Sequence, residues 1–380
     1  MTQALIPFNR PSMGTAELAR MAQAVGGGYL SGDGPFTKQC HAFLEQTLGV
    51  HRALLTTSCT DALELSALLL NLAPGDEVII PSFTFVSSVN AFVLRGAKPV
   101  FCDVRADTLN LDEAQLERHV TPRTKAIVVV HYAGVACEMH AILEIAARHG
   151  IPVVEDNAHG LFGTYHGQQL GTFGCMATQS FHDTKNFTCG EGGALLINDP
   201  QYSARAEIVR EKGTDRSRFL RGQVDKYGWV DIGSSFLPSD ILAAALSAQF
   251  DARDEIQGKR QHLWNRYRDA LAPWAGERGV ALPIVPAHCK QPYHMFYIML
   301  HSLEHRQALI RHLRANNIVP AFHYLPLHLS PMGRSFGGTD GDCPVTEQVS
   351  DRLLRLPFYN TMTDAELDRV ASTIREFQQD

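Results

Sequence analysis

Asp156 closes the run Ile151-Pro152-Val153-Val154-Glu155-Asp156, an apolar segment that stops on two carboxylates. Ligands of open α/β sheets gather beyond the carboxyl ends of the strands, so an acid placed there faces a site. Lys185 lies in Ser180-Phe181-His182-Asp183-Thr184-Lys185-Asn186, shortly before Cys189-Gly190-Glu191-Gly192-Gly193. A lysine in a polar turn, beside glycines that let backbone crowd a ligand, suits an amine that forms and releases an imine. Taken singly, the acid reads as a capping or solvated carboxylate and the lysine as a surface residue. Taken together and in this order, they fit pyridoxal phosphate (PLP). Its electron sink works only when the pyridine nitrogen keeps a proton, which a neighbouring carboxylate stabilises. Asp156 suits that pairing. Lys185 suits an amine that holds the aldehyde as a Schiff base and then, uncharged, moves the proton between the substrate Cα and C4′.

Such a cofactor also needs an anion grip, and free N–H groups at a helix start provide one. Thr56-Thr57-Ser58-Cys59-Thr60-Asp61 stands between a strand and an apolar helix. Ser58, Cys59 and Thr60 offer hydroxyls and amides there, although the segment alone reads equally well as a plain N-cap. Ser180 adds a hydroxyl. Phe85, in Pro81-Ser82-Phe83-Thr84-Phe85, offers a ring to stack on the cofactor.

These residues need a scaffold that brings strand ends together. Short β-rich runs at 53–55, 77–80, 99–101, 126–131, 152–155 and 194–197 alternate with helical patterns at 60–71, 87–94 and 141–149. That alternation predicts an α/β fold, a mainly parallel sheet covered by helices on both faces. After residue 250 the texture changes: a charged helix over 249–271, strands over 293–300 and 318–324, and helices over 304–315 and 364–378. The reading is a large domain over 1–250, including the N-terminal segment, and a small α+β domain over 251–380. The polar stretch 213–235 is too long for a simple connection, and such loops are usually functional.

As a set, Ser31-Gly32-Asp33-Gly34, Thr57-Ser58-Cys59-Thr60, Pro81–Phe85, Glu155-Asp156-Asn157-Ala158-His159 and Ser180–Asn186 resemble the DegT-type sugar-nucleotide aminotransferases. The likeness spans nearly the whole chain. It implies PLP fold type I, with a mainly parallel seven-stranded sheet between helices, and a homodimer whose active sites are shared. It also implies that Lys185 forms the Schiff base, Asp156 pairs with the pyridinium, Phe85 stacks, and Ser58, Thr60 and Ser180 hold the phosphate. His159 falls beside the cofactor's phenolic oxygen. Asn157 stands where relatives more often carry Ala, and Ser235 where many carry an Asn that reaches a neighbouring subunit's phosphate.

Three further stretches, Pro81–Lys98, His131–Met139 and Arg221–Tyr227, look like the members that aminate dTDP-4-dehydro-6-deoxyglucose with L-glutamate as donor, toward a surface polysaccharide. Lys212, Arg216, Arg221 and Tyr227, in and beside the 213–235 loop, are expected to contact the sugar nucleotide, because positive charge concentrates there. On the family resemblance His323 and His328, in His323-Tyr324-Leu325-Pro326-Leu327-His328, contact it from the small domain.

Composition narrows the alternatives. With 380 residues, 45% apolar and 19% charged, the chain can bury a large core and a second one. A net charge of −6 gives no broad basic surface for nucleic acid, while the basic residues of the 213–235 loop supply local charge for a nucleotide. The eight cysteines include no C-x-x-C pair, which argues against a disulfide framework or a zinc site, and no metal is expected. No G-x-G-x-x-G follows the first strand, against a dinucleotide enzyme. Related dehydratases carry His in place of the lysine, so Lys185 argues against dehydration, and the intact pair argues against a silent regulator. The opening MTQALIPFNRPSMG shows no export pattern and no stretch is long and apolar enough to span a membrane, so a cytoplasmic location is expected.

Overall fold

The computed structural model describes residues 4–378. Seven strands form one sheet: β1 (Arg52–Thr56), β2 (Glu77–Pro81), β3 (Lys98–Cys102), β4 (Thr124–Val130), β5 (Val153–Asp156), β6 (Met176–Ser180) and β7 (Gly193–Ile197). Their order is β1-β7-β6-β5-β4-β2-β3. Strands β3, β2, β4, β5 and β6 are parallel, whereas β7 pairs antiparallel with both β6 and β1. All but β7 therefore point one way and deliver their carboxyl ends to a single edge, where β7 begins.

Side chains alternate across this sheet as the period of two requires. Val78, Ile80 and Val128 pack on one face with Leu63 and Phe92, and Ile79, Ile127 and Val129 on the other with Ile142. Burial on both faces explains why β4 reads as the near-continuous apolar run Ala126–Val130. Strand β6 gives no such signal, because its centre is Thr178 and Gln179, polar yet almost fully buried.

The single helix expected over 249–271 is two, Asp240–Asp251 and Arg253–Arg278, broken at Ala252. The first is apolar around most of its circumference and covers the sheet through Ala243, Leu246 and Phe250. The break frees the second, charged helix to leave the sheet and join another core with Leu263, Trp264, Tyr267 and Leu271. That core backs a small antiparallel sheet of β8 (Tyr297–Met299), β9 (Ala321–Phe322) and β10 (Leu353–Arg355), with β10 central; the strands are shorter than expected. Ile6 bridges to Ile318 and belongs to the same core.

Two buried polar groups tie the parts together. Asp103 accepts from the amides of Val345 and Thr346 at 2.8 and 2.9 Å and from the Thr346 hydroxyl at 2.8 Å. His328 Nδ1 lies 2.6 Å from Ser82 Oγ. Among the described residues, no helix is long and apolar enough to cross a membrane.

Candidate active site

Alternation along β5 sends its two carboxylates to opposite sides. Glu155 is sealed and accepts from the amides of Gly171, Phe173 and Gly174 at 2.7–2.8 Å. It also accepts from His131 Nε2 at 2.9 Å. His131 Nδ1 accepts from the Cys137 amide, which leaves the proton on Nε2, so the ring donates to Glu155 as a neutral imidazole. Glu155 thus straps the 171–174 turn to the sheet. Asp156 faces the open edge, with Oδ2 accepting from Ser88 Oγ at 2.6 Å and Oδ1 from the Ala158 amide at 3.1 Å.

Asp156 lies on the wall of a cavity of about 430 Å³, shared with Ser58, Cys59, Thr60, Phe85, His159, Ser180, Lys185 and His323. Lys185 comes from the loop after β6, which is clamped from several directions. Asn186 donates to the Pro292 carbonyl, Asn360 to the Asn186 carbonyl and Asn9 to the Asp183 carbonyl, at 2.7–3.1 Å. Burial pushes the Lys185 amine down to about 8, because the charged form loses its hydration. Among the described residues the amine has no hydrogen-bond or ion-pair partner. It is half-buried and opens on the cavity.

The anion side is built by close backbone packing. Ser58 is the N-cap of the helix Cys59–Leu69, its Oγ accepting from the Asp61 amide at 3.0 Å. The first amides of that helix, Cys59 and Thr60, have no carbonyl partner within it. Gly193 opens β7 against this turn, and a Cβ there would meet the Ser58 carbonyl carbon and oxygen at 2.4 Å. Thr60 Oγ1 donates to Ser87 Oγ at 2.8 Å, joining two helix starts. The Cys59 thiol contacts Thr178 Oγ1 at 3.6 Å, and burial pushes it up, so it stays protonated.

The opposite wall is mainly aromatic. His159 stacks on His294 with centroids 4.2 Å apart, and burial holds both rings well below the usual histidine range. His159 Nδ1 is buried without a partner among the described residues. His323 stacks on Tyr324 at 3.9 Å. Its Nε2 lies 2.6 Å from Arg355 Nη1 and its Nδ1 3.2 Å from the Tyr132 hydroxyl. Phe85 is exposed at the mouth, 6.4 Å from Tyr324.

Other expected site residues do not reach this cavity. His328 is a correction: it is fully buried between Ser82 and Glu347, whose Oε1 lies 3.0 Å from its Nε2, and serves as a brace between the two parts. Arg216 and Arg221 line a second cavity and pair with Glu211 and Glu207, while Lys212 pairs with Glu211 at 3.1 Å. Tyr227 and Ser235 are exposed. Ser88, His294, Tyr324 and Arg355 escaped the sequence reading as site residues. Ser88 follows Pro81–Phe85 closely enough that its place at a helix start is a usable signal, whereas Arg355 comes from a distant strand with none.

Comparison with known proteins follows this geometry. A family model described as the DegT/DnrJ/EryC1/StrS aminotransferase family matches residues 11–375. The spore coat polysaccharide biosynthesis protein SpsC of Bacillus subtilis (strain 168) is 31% identical over 379 residues, covering 98% of this chain and 96% of that protein. Among solved structures, the aminotransferase TlmJ from Streptoalloteichus hindustanus is similar with a TM-score of 0.90 at 31% identity, over 98% of both chains. The PLP form of the putative sugar aminotransferase Spr1654 from Streptococcus pneumoniae gives 0.91 at 27% identity, again over 98% of both.

Proposed function

Since the chain belongs to the DegT/DnrJ/EryC1/StrS aminotransferase family, we propose that it moves the amino group of L-glutamate to C4 of dTDP-4-dehydro-6-deoxy-D-glucose. The products are dTDP-4-amino-4,6-dideoxy-D-galactose, destined for a surface polysaccharide, and 2-oxoglutarate. The observation that carries the reading is the unpartnered Lys185 amine in one cavity with Asp156 and the Ser58–Thr60 helix start. The choice of sugar rests on the resemblance of Pro81–Lys98, His131–Met139 and Arg221–Tyr227 to enzymes of that reaction.

Pyridoxal phosphate is the cofactor, and the cavity fits it. When bound it supplies an aldehyde that takes up amines and a ring that draws electrons from the carbon attached to them. Asp156, oriented by Ser88 and Ala158, would hold a proton on the ring nitrogen. Ser58, Thr60, Ser180 and the amides at 59–60 would hold the phosphate, and His159, whose Nδ1 has no partner among the described residues, would meet a polar atom of the ring. Lys185, uncharged above about pH 8, would carry a proton between the carbon bearing the amine and the carbon on the other side of that nitrogen.

Ser235 and the basic residues Lys212, Arg216 and Arg221 act in a homodimer, where the 213–235 loop crosses to the partner's cavity. The exposed Leu220, Tyr227, Trp229, Val230 and Ile232 on that loop support a covered surface. The enzyme works in the cytoplasm, and its chain divides near residue 250. Incubation with dTDP-4-dehydro-6-deoxyglucose and L-glutamate, with NMR assignment of the product, tests the reaction. An axial amine at C4 is expected. Amination only of the 3-keto isomer would overturn the choice of sugar and leave the aminotransferase standing.

A further inference from the structure

Arg355 ends β10 with its guanidinium on the cavity wall, and among the described residues no carboxylate pairs with it. A guanidinium stays charged in any protein setting, and a half-buried cation normally has an anionic partner or several carbonyls. Two arginines of this protein show the usual arrangement. Arg260 is fully buried and donates to the carbonyls of Tyr293 and His294. Arg105 grips Asp107 through Nε and Nη2 at 2.9 and 2.8 Å. Among the described residues Arg355 has one hydrogen-bond contact, Nη1 to His323 Nε2 at 2.6 Å, and lies 4.7 Å over the Phe8 ring. Its Nε is buried without an acceptor, and Nη2 has none among the described residues.

The surroundings fix its orientation. Because Arg355 can only donate, His323 accepts on Nε2 and carries its proton on Nδ1, toward the Tyr132 hydroxyl 3.2 Å away. His323 in turn is packed against Tyr324. One end of the fork is therefore pinned, and Nη2 is left for a ligand.

We propose that Arg355, positioned by His323 and Tyr132, binds the α-carboxylate of the amino donor. This rests on the aminotransferase reading of the same cavity. The donor's amine must exchange with that of Lys185, so a carboxylate on the carbon carrying it lies within the same enclosure as Arg355. A cavity of about 430 Å³ holds a cofactor and a small amino acid, whereas a nucleotide diphosphate must stay nearer the mouth. The phosphate grip at Ser58–Thr60 belongs to other elements of the fold, which leaves Arg355 without a claim from the cofactor.

The test uses the holoenzyme and follows the cofactor's absorbance during the half-reaction with amino acid alone. Wild-type protein should prefer L-glutamate over L-isoglutamine, which carries an amide in place of the α-carboxylate, by about 100-fold in half-saturating concentration. This comparison requires no variant. R355Q should lose most of that preference and raise the KM for L-glutamate about 100-fold, R355K should recover part of it, and the KM for the sugar nucleotide should stay unchanged. Equal use of the acid and the amide by wild-type protein, or a rise in sugar-nucleotide KM with glutamate unaffected, would overturn the assignment. A wild-type holoenzyme inert to every amino donor would instead remove the reading on which it rests.

Discussion

The Ser88 hydroxyl donates to Asp156 Oδ2 at 2.6 Å while the Ala158 amide holds Oδ1 at 3.1 Å. The carboxylate is thereby fixed in plane at the base of the cavity, and Ser88 is itself held by Thr84 at 2.9 Å. Asp156→Asn removes the charge that keeps a ring proton in place, so kcat should fall by about a thousandfold with the fold retained. Ser88→Ala leaves the charge and loosens only its orientation, and a loss of about tenfold is expected, the size of one hydrogen bond to a charged group. Steady-state rates and cofactor affinity by absorbance titration separate the two. Equal losses would mean that Ser88 does more than orient.

Gly193 touches the same machinery from the other side. Its φ is not in the left-handed region, so the requirement for glycine is steric: a Cβ would sit 2.4 Å from the Ser58 backbone. In Gly193→Ala the helix start must move, at a cost of about 1–3 kcal/mol, and the amides of Cys59 and Thr60 lose their aim. Cofactor should then dissociate at least tenfold more readily, measured by equilibrium dialysis, with the Tm of the cofactor-free protein lowered. Unchanged cofactor affinity would remove this turn from the phosphate grip.

Lys185 gives a pH signature without turnover. Burial lowers its amine from the ordinary lysine value of 10.5 to about 8, so at pH 8 half of it is neutral while surface lysines are almost wholly charged. In cofactor-free protein, reductive methylation mapped by mass spectrometry should mark Lys185 first, with a midpoint near pH 8. Between 8 and 10.5 the unfolded chain holds the extra proton, so stability should rise with pH across that window. A midpoint near 10 would place the amine in water.

The paired Asp156 and Lys185 and the strand ends around them were legible because their carriers, β5 and the helix after Ser58, show strong apolar patterns. Strand β6 was not, since Thr178 and Gln179 are buried by neighbouring strands rather than by their own polarity. His328 misled for a related reason: a histidine in a loop near the site looks like a ligand until its partners Ser82 and Glu347, both distant in sequence, are brought to it. Arg355 was invisible because its meaning lies in an absence of carboxylates, which only the assembled cavity reveals. The break at Ala252 depends on where each helix packs, and neither charge pattern marks it.

Acid should unfold this protein earlier than carboxylate protonation alone predicts. Burial holds His41, His159, His294 and His323 well below the ordinary value of 6.5. His41 and His323 each accept a hydrogen bond on a ring nitrogen, from the Leu55 amide and from Arg355, so protonation there also breaks a contact. Above pH 6.5 these rings are neutral in both folded and unfolded chains and contribute no pH dependence. Below 6.5 the unfolded chain takes up protons that the folded one refuses, and each ring costs up to about 1.4 kcal/mol of stability per pH unit. Urea denaturation at pH 7.5, 6.5 and 5.5 should therefore show a steep loss over the last unit. His41→Gln, which keeps an acceptor for Leu55, should flatten that slope by about one proton's worth. A slope indifferent to the substitution would mean that His41 already carries its proton in the folded state, against the bond it accepts.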